Sequence, residues 1–187
     1  MTILNLYPAT TIADVCWPAG ENLIDSDSSA IQLMTDFENH FAQVVSVNTQ
    51  IDQAEYQMRL AHVRLKIVVD HDKNFVGIVT ASDISEEEIM KHVANGIARD
   101  ELTVADFMQP RSQLLVLEYS ELAKASVRDL VETLKQRQCQ HALVADKDRV
   151  HLRGIISASD IARRLHIPVA LNNGSSFAGI FQALRAS

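Results

Sequence analysis

Apolar and polar positions alternate along this chain in two registers, and the registers recur in the same order twice. Ile51, Ala54, Met58 and Ala61 recur at helical spacing, and Thr49 with Asp52 reads as an N-terminal capping pair. Runs rich in branched residues follow, Leu65 to Val69 and Phe75 to Val79, separated by the turn-forming stretch DHDKN, which predicts two strands joined by a tight connection. A helix is predicted to begin near Ser82 to Ser85, with Ser85 and Glu88 as a capping box, and to bury Ile89, Val93 and Ile97.

The second occurrence has Val127, Leu130, Val131 and Leu134 on one helical face behind Ser126 and Asp129, then strands His141 to Ala145 and Val150 to Ile156. A further apolar strand precedes each copy, Val44 to Val47 after SSAIQLMTDF and Leu114 to Leu117 after VADFMQP. Aligned directly, VVDHDKNFVGIVTASDI (68–84) lies against VADKDRVHLRGIISASDI (144–161). The shared glycines, Gly77 and Gly154, are 77 residues apart, whereas Asp70 and Asp146 are 76 apart, so the second copy has one extra residue in its turn. The predicted fold is a mixed α/β (α+β) architecture of two tandem β-α-β-β-α repeats. Residues 1–25 are expected to form an N-terminal arm, 26–100 the first domain, and 101–187 the second domain with a terminal helix over Ser175 to Leu184.

Composition narrows the function classes. The chain has 187 residues, with 17 Lys+Arg against 24 Asp+Glu, and the net charge of −7 opposes general binding to nucleic acid or to anionic membranes. No apolar run approaches the roughly 20 residues that span a bilayer, and the N-terminus lacks the basic start of a signal peptide. The two cysteines, Cys16 and Cys139, form neither a zinc pattern nor a disulfide framework, so a cytoplasmic protein is expected. Cys139 aligns with Val63 and reads as a small core residue, and Trp17 and Met34 read as packing groups. The pairs Asp70/Asp72 and Asp146/Asp148 lie in turns that favour Asp for local reasons. No grouping of nucleophile, base and oxyanion donor is visible, so the chain is expected not to be an enzyme and to need no catalytic residue, metal or required cofactor.

The octapeptides GIVTASDI (77–84) and GIISASDI (154–161), the apolar strands ending at Asp70 and Asp146, and the lead-ins QLMT and DFMQ make the chain resemble a stand-alone tandem pair of CBS domains, a Bateman-like module named after cystathionine β-synthase. That resemblance covers about Ser28 to His166. It implies a pseudo-two-fold pair with two clefts between the halves, where many members bind adenosine-containing ligands: AMP, ADP, ATP or S-adenosylmethionine. The hydroxyl and carboxylate that such a ligand meets carry over to Thr80 and Asp83 in the first copy and to Ser157 and Asp160 in the second. Arg64 and His141, before or at the start of the middle strand, are further ligand-binding candidates.

The copies differ after the carboxylate. Arg163 and Arg164 follow Asp160, whereas Glu86, Glu87 and Glu88 follow Asp83. Guanidinium suits phosphate and carboxylate repels it, so the Ser157/Asp160 site, with Arg163, is expected to be the better site for a charged nucleotide. Helix capping alone is the competing account of the Ser, Thr and Asp residues at these turns. The resemblance implies a regulatory homodimer that binds an adenosyl small molecule and signals to a partner protein; the rival is a protein-interaction or oligomerisation module with vestigial clefts.

Overall fold

The computed structural model describes residues 24–135, 140–165 and 177–186. Cys16, Trp17, Cys139, nearly all of the N-terminal arm and the connection before the terminal helix lie outside these residues.

Strands β1 (Thr35–Asp36) and β2 (Val44–Ser46), helix α1 (Ile51–Leu60), strands β3 (Leu65–Val69) and β4 (Phe75–Thr80) and helix α2 (Glu86–Ala94) come from the first half. The second half contributes β5 (Gln109–Pro110), β6 (Val116–Glu118), a short α3 (Tyr119–Leu122), α4 (Val127–Leu134), β7 (His141–Ala145), β8 (Leu152–Ser157), α5 (Ala158–Arg164) and α6 (Phe177–Ala186). In each repeat the first long strand runs parallel to the second and the second antiparallel to the third. The β-α-β-β-α order read from the sequence is therefore present twice.

The sequence pattern does not reveal an exchange between the repeats. The lead-in of each repeat adds an antiparallel strand to the sheet of the other, giving sheet orders β2-β3-β4-β5 and β1-β8-β7-β6. The lead-ins also strap the opposite helices. Ala30 N–H donates to Ala125 O (2.9 Å) and Val127 N–H to Ser28 O (2.9 Å), while Ile51 N–H donates to Leu102 O (3.0 Å) and Val104 N–H to Thr49 O (2.9 Å). Ala30 and Leu33 are accordingly buried in the core of the second repeat, with Val127, Val131, Ile156, Ile161 and Phe177. Leu102 and Val104 are buried in that of the first, with Ile51, Val68, Val79 and Ile89. A third apolar layer, Leu65, Ile67, Ile78 and Leu143, lies between the repeats, flanked by Phe37, Phe75 and Ile155.

Gly77 and Gly154 owe their place in both copies to this exchange. A Cβ on Gly77 would sit 2.4 Å from Gln109 O on β5, and one on Gly154 would sit 2.6 Å from Thr35 O on β1. Both distances are inside van der Waals contact with backbone atoms, which yield less readily than side chains. Beside Gly154 the exchanged strand is also pinned by Arg153, whose Nε and Nη2 donate to the two oxygens of Asp36 at 2.8 and 2.9 Å. That two-point grip holds Asp36 below the usual carboxylate range, and the Arg153 guanidinium also lies 4.5 Å from the Tyr119 ring centre.

Local details depart from the sequence reading in three places. The N-cap of α1 is Gln50, whose side chain donates to Asp100 O at 2.9 Å instead of capping the helix, and Asp52 pairs with Arg99 at 3.0 Å. Ser85 caps α2 by position but makes no side-chain cap bond; Glu88 takes Lys91 as its partner, as Glu87 does. Ile97 falls beyond the end of α2 and is exposed. The Ser126/Asp129 capping box is formed, with each residue bonding the other's backbone N–H. The terminal helix spans Phe177–Ala186; the expected start at Ser175 lies outside the described residues.

Gly154→Ala is expected to lower the free energy of unfolding by about 1–3 kcal/mol through overpacking against Thr35. Gly96→Ala is a different control, with open space around the Cβ and only its φ of +93° to oppose it. Urea titrations of the two variants separate the causes: an unchanged midpoint for Gly154→Ala would show that β1 does not press on β8 as described.

Candidate functional site

A cavity of about 680 Å³ opens between the repeats. The first repeat lines it with Ile78, Thr80, Ser82 and Asp83, and the second with Gln109, Gln113, the strand run Leu114–Leu117, Thr133 and Leu134 of α4, and Gln140–Leu143. Its apolar wall comes from the ends of sheet strands, and its polar groups converge from the turn after β4 and from β5 and β7. This combination of an apolar wall and a few fixed polar groups is common to small-molecule sites.

Thr80 and Asp83 meet because the chain makes a turn between β4 and α2. One Asp83 carboxylate oxygen accepts the Thr80 N–H at 2.7 Å and the Thr80 hydroxyl at 2.8 Å, so the carboxylate caps this turn. From across the repeat boundary, Gln109 Nε2 donates to both Asp83 oxygens, at 3.0 and 3.2 Å. Asp83 thus joins the two halves of the cleft. Gln109 was not among the residues singled out by sequence; its signal was its position at the end of the lead-in DFMQ, where the other copy has Thr35.

His141 opens β7 and pairs with Ser157 on β8. It lines the same cavity, so the structure brings Thr80, Asp83 and His141 together. Burial pushes the His141 imidazole down to about 4; Asp160 and Asp83 oppose that shift and Arg64 adds to it. The ring is neutral at neutral pH. It offers a hydrogen bond to a ligand but no positive charge. Among the described residues, no lysine or arginine lines this cavity.

Arg64 does not line this cavity, although its charge acts on His141. Its carbonyl accepts the Ala81 N–H at 2.9 Å, and its exposed side chain lines a second cavity of about 480 Å³ with Glu55, Arg59, His62 and Glu86. Glu86 binds Arg99 at 2.9 Å, and none of Glu86, Glu87 and Glu88 lines the 680 Å³ cavity. The repulsion expected from that run therefore acts from outside the Thr80/Asp83 cleft.

At the other carboxylate, α5 starts directly after β8, with Ser157 at its N-cap. The Ser157 hydroxyl lies 2.7 Å from that of Ser159 and makes no cap bond. Asp160 is ion-paired with Arg163, three residues on, so that guanidinium is already engaged with the neighbouring carboxylate. Arg164 reaches Gln32 O at 2.9 Å and ties α5 to the exchanged lead-in.

Solved structures share this architecture. CBSX2 from Arabidopsis thaliana, a CBS-pair protein, is 22% identical, with a TM-score of 0.51 over 73% of this chain and 92% of its own. A structure of CBSX2 in complex with AMP is 23% identical, with a TM-score of 0.52 over 73% and 94%. An uncharacterized conserved protein from Pyrococcus horikoshii is 20% identical, with a TM-score of 0.58 over 79% and 98%. No curated protein matches the chain by sequence. The CBS domain profile matches residues 28–89 and again 104–167. Two domain matches covering most of the sequence, on a pair of sheets that exchange their lead-in strands, show that the chain belongs to the CBS domain family as a tandem pair.

Proposed function

We propose that this CBS pair is a regulatory module, not a catalyst, and that it binds an adenosyl ligand in the cleft lined by Thr80, Asp83, Gln109 and His141. The observation that carries this reading is a cavity of about 680 Å³ whose polar groups come from both repeats. A ligand there touches two bodies at once, so its binding energy differs between arrangements of the repeats, which is the requirement for signalling. Asp83 supplies the acceptor that a ribose cis-diol needs, and the Leu114, Leu117, Leu134 and Leu143 side chains supply an apolar bed for a base. The AMP bound by CBSX2, a protein of the same fold, supports adenosine as the core of the ligand.

The lining residues favour a nucleoside or monophosphate over a triphosphate. His141 is neutral, and Arg163 is occupied by Asp160. The proposed site is therefore the Thr80/Asp83 cleft, in place of the Ser157/Asp160 cleft favoured by the basic pattern of the sequence. The output is a contact with a partner protein, made by a homodimer. Exposed Tyr56 and Leu60 on α1 and Met90 on α2 support such an association.

Adenosine and AMP are each expected to raise the unfolding temperature. A ligand at 100 times its Kd adds about 2.7 kcal/mol. Asp83→Asn removes that increment and Asp160→Asn leaves it. No shift with any adenosyl ligand would favour the rival reading as an interaction module.

The pH dependence of the unliganded protein follows from His141. Its native pKa of about 4 lies below the ordinary 6.5, so below pH 6.5 the unfolded chain takes up a proton that the native chain refuses. Stability is full above 6.5, declines as pH falls towards 4, and loses nothing further from this group below that. At about 1.4 kcal/mol per pKa unit the loss reaches at most ~3.5 kcal/mol. Urea midpoints at pH 7, 5.5 and 4.5 are expected to fall in the natural protein and to flatten in His141→Gln; equal slopes in the two would place the imidazole in water.

A further inference from the structure

Among the positions at which the two clefts differ, one lies on the wall that β3 and β7 supply. β3 and β7 are equivalent strands: Leu65 pairs with Thr80 as His141 pairs with Ser157, and Lys66 pairs with Val79 as Ala142 pairs with Ile156. Ala142 lines the 680 Å³ cavity, and so does Val116, the counterpart of Val44 in the parallel pairing of the first two long strands. In the other cleft the Ala142 position is Lys66. Its side chain is only 4% exposed, the single buried charged side chain among the described residues. Its ammonium donates to Val44 O at 3.4 Å, a long bond and its only side-chain hydrogen bond among the described residues. No carboxylate lies within ion-pair distance of it among the described residues, and burial lowers its pKa.

A lysine side chain adds four heavy atoms to the methyl group of alanine, and these atoms run from the floor of β3 to the carbonyl edge of β2. They cover the surface that, in the first cleft, faces the cavity. The ammonium also occupies a backbone acceptor at the strand edge, the kind of group that an amino-bearing ring uses for orientation.

We propose that Lys66 closes the second cleft with its own side chain, so that the pair takes one adenosyl ligand per chain instead of two. This rests on the ligand reading of the Thr80/Asp83 cleft. The closure is intrinsic and chemical. It leaves Ser157 and Asp160 beside a wall whose floor is filled.

Equilibrium dialysis of radiolabelled adenosine against the full chain tests it, with folding checked by circular dichroism. The natural protein is expected to bind one equivalent. Lys66→Ala is expected to bind two, Ala142→Lys none, and the double variant one, now sensitive to Asp160→Asn and indifferent to Asp83→Asn. Two equivalents in the natural protein, or one in a folded Lys66→Ala variant, overturns the closure. If the natural protein binds none, the reading of the first cleft fails by itself; Lys66→Ala then still decides, since newly acquired binding supports a cleft opened at Lys66 and continued absence of binding overturns it. Where Lys66→Ala does not fold, the count in the natural protein and the loss in Ala142→Lys decide the matter.

Discussion

The close approach of two backbone carbonyls to two glycines holds this molecule together. Gln109 O and Thr35 O come so near β4 and β8 that a single methyl group on Gly77 or Gly154 would collide with them. That proximity admits the lead-in of each repeat to the sheet of the other and carries Ala30 and Leu33 into one core and Leu102 and Val104 into the other. The candidate site depends on it as well. Gln109 reaches Asp83 only because β5 is hydrogen-bonded to β4.

The repeats are equivalent as backbones and different as chemical surfaces. The β1 lead-in is clamped by a charged pair, Asp36 and Arg153, and the β5 lead-in by a carboxylate and an amide, Asp83 and Gln109. One cleft is floored by Ala142 and edged by a neutral histidine; at the equivalent floor position the other has a lysine whose charge is sequestered from solvent. Duplication supplied two similar clefts, and a few side chains made them unequal.

Much of the fold was legible because its signals are local or repeated. Leu65–Val69 and His141–Ala145 are short runs rich in branched and apolar residues, each followed by a turn, and Ser126 with Asp129 forms the capping box that its spacing suggests. The exchange was not legible, because β1 and β5 are two-residue strands and their partners lie far along the chain. Capping failed at Thr49 and Ser85 for an electrostatic reason. Asp52 and Glu88 had cationic partners within reach, Arg99 and Lys91, and a side chain that is satisfied by a cation does not turn back to its own backbone. For the site, the repeated Thr80/Asp83 and Ser157/Asp160 stood out, whereas Gln109 and Lys66 did not. Each carries its meaning only once the second repeat is set beside the first.

The Asp36–Arg153 pair spans 117 residues of sequence. A ribosome adding about 5–20 residues per second needs roughly 6 to 23 s to deliver Arg153 after Asp36 has been made. During that interval the 30–36 segment has no strand to join, and until Gln109 and Pro110 are made the first repeat also lacks β5 along the open edge of β4. The nascent first half is therefore an unfinished object, with an uncovered sheet edge and apolar side chains waiting for a core not yet synthesised. Translation speed through the second half sets how long that exposure lasts.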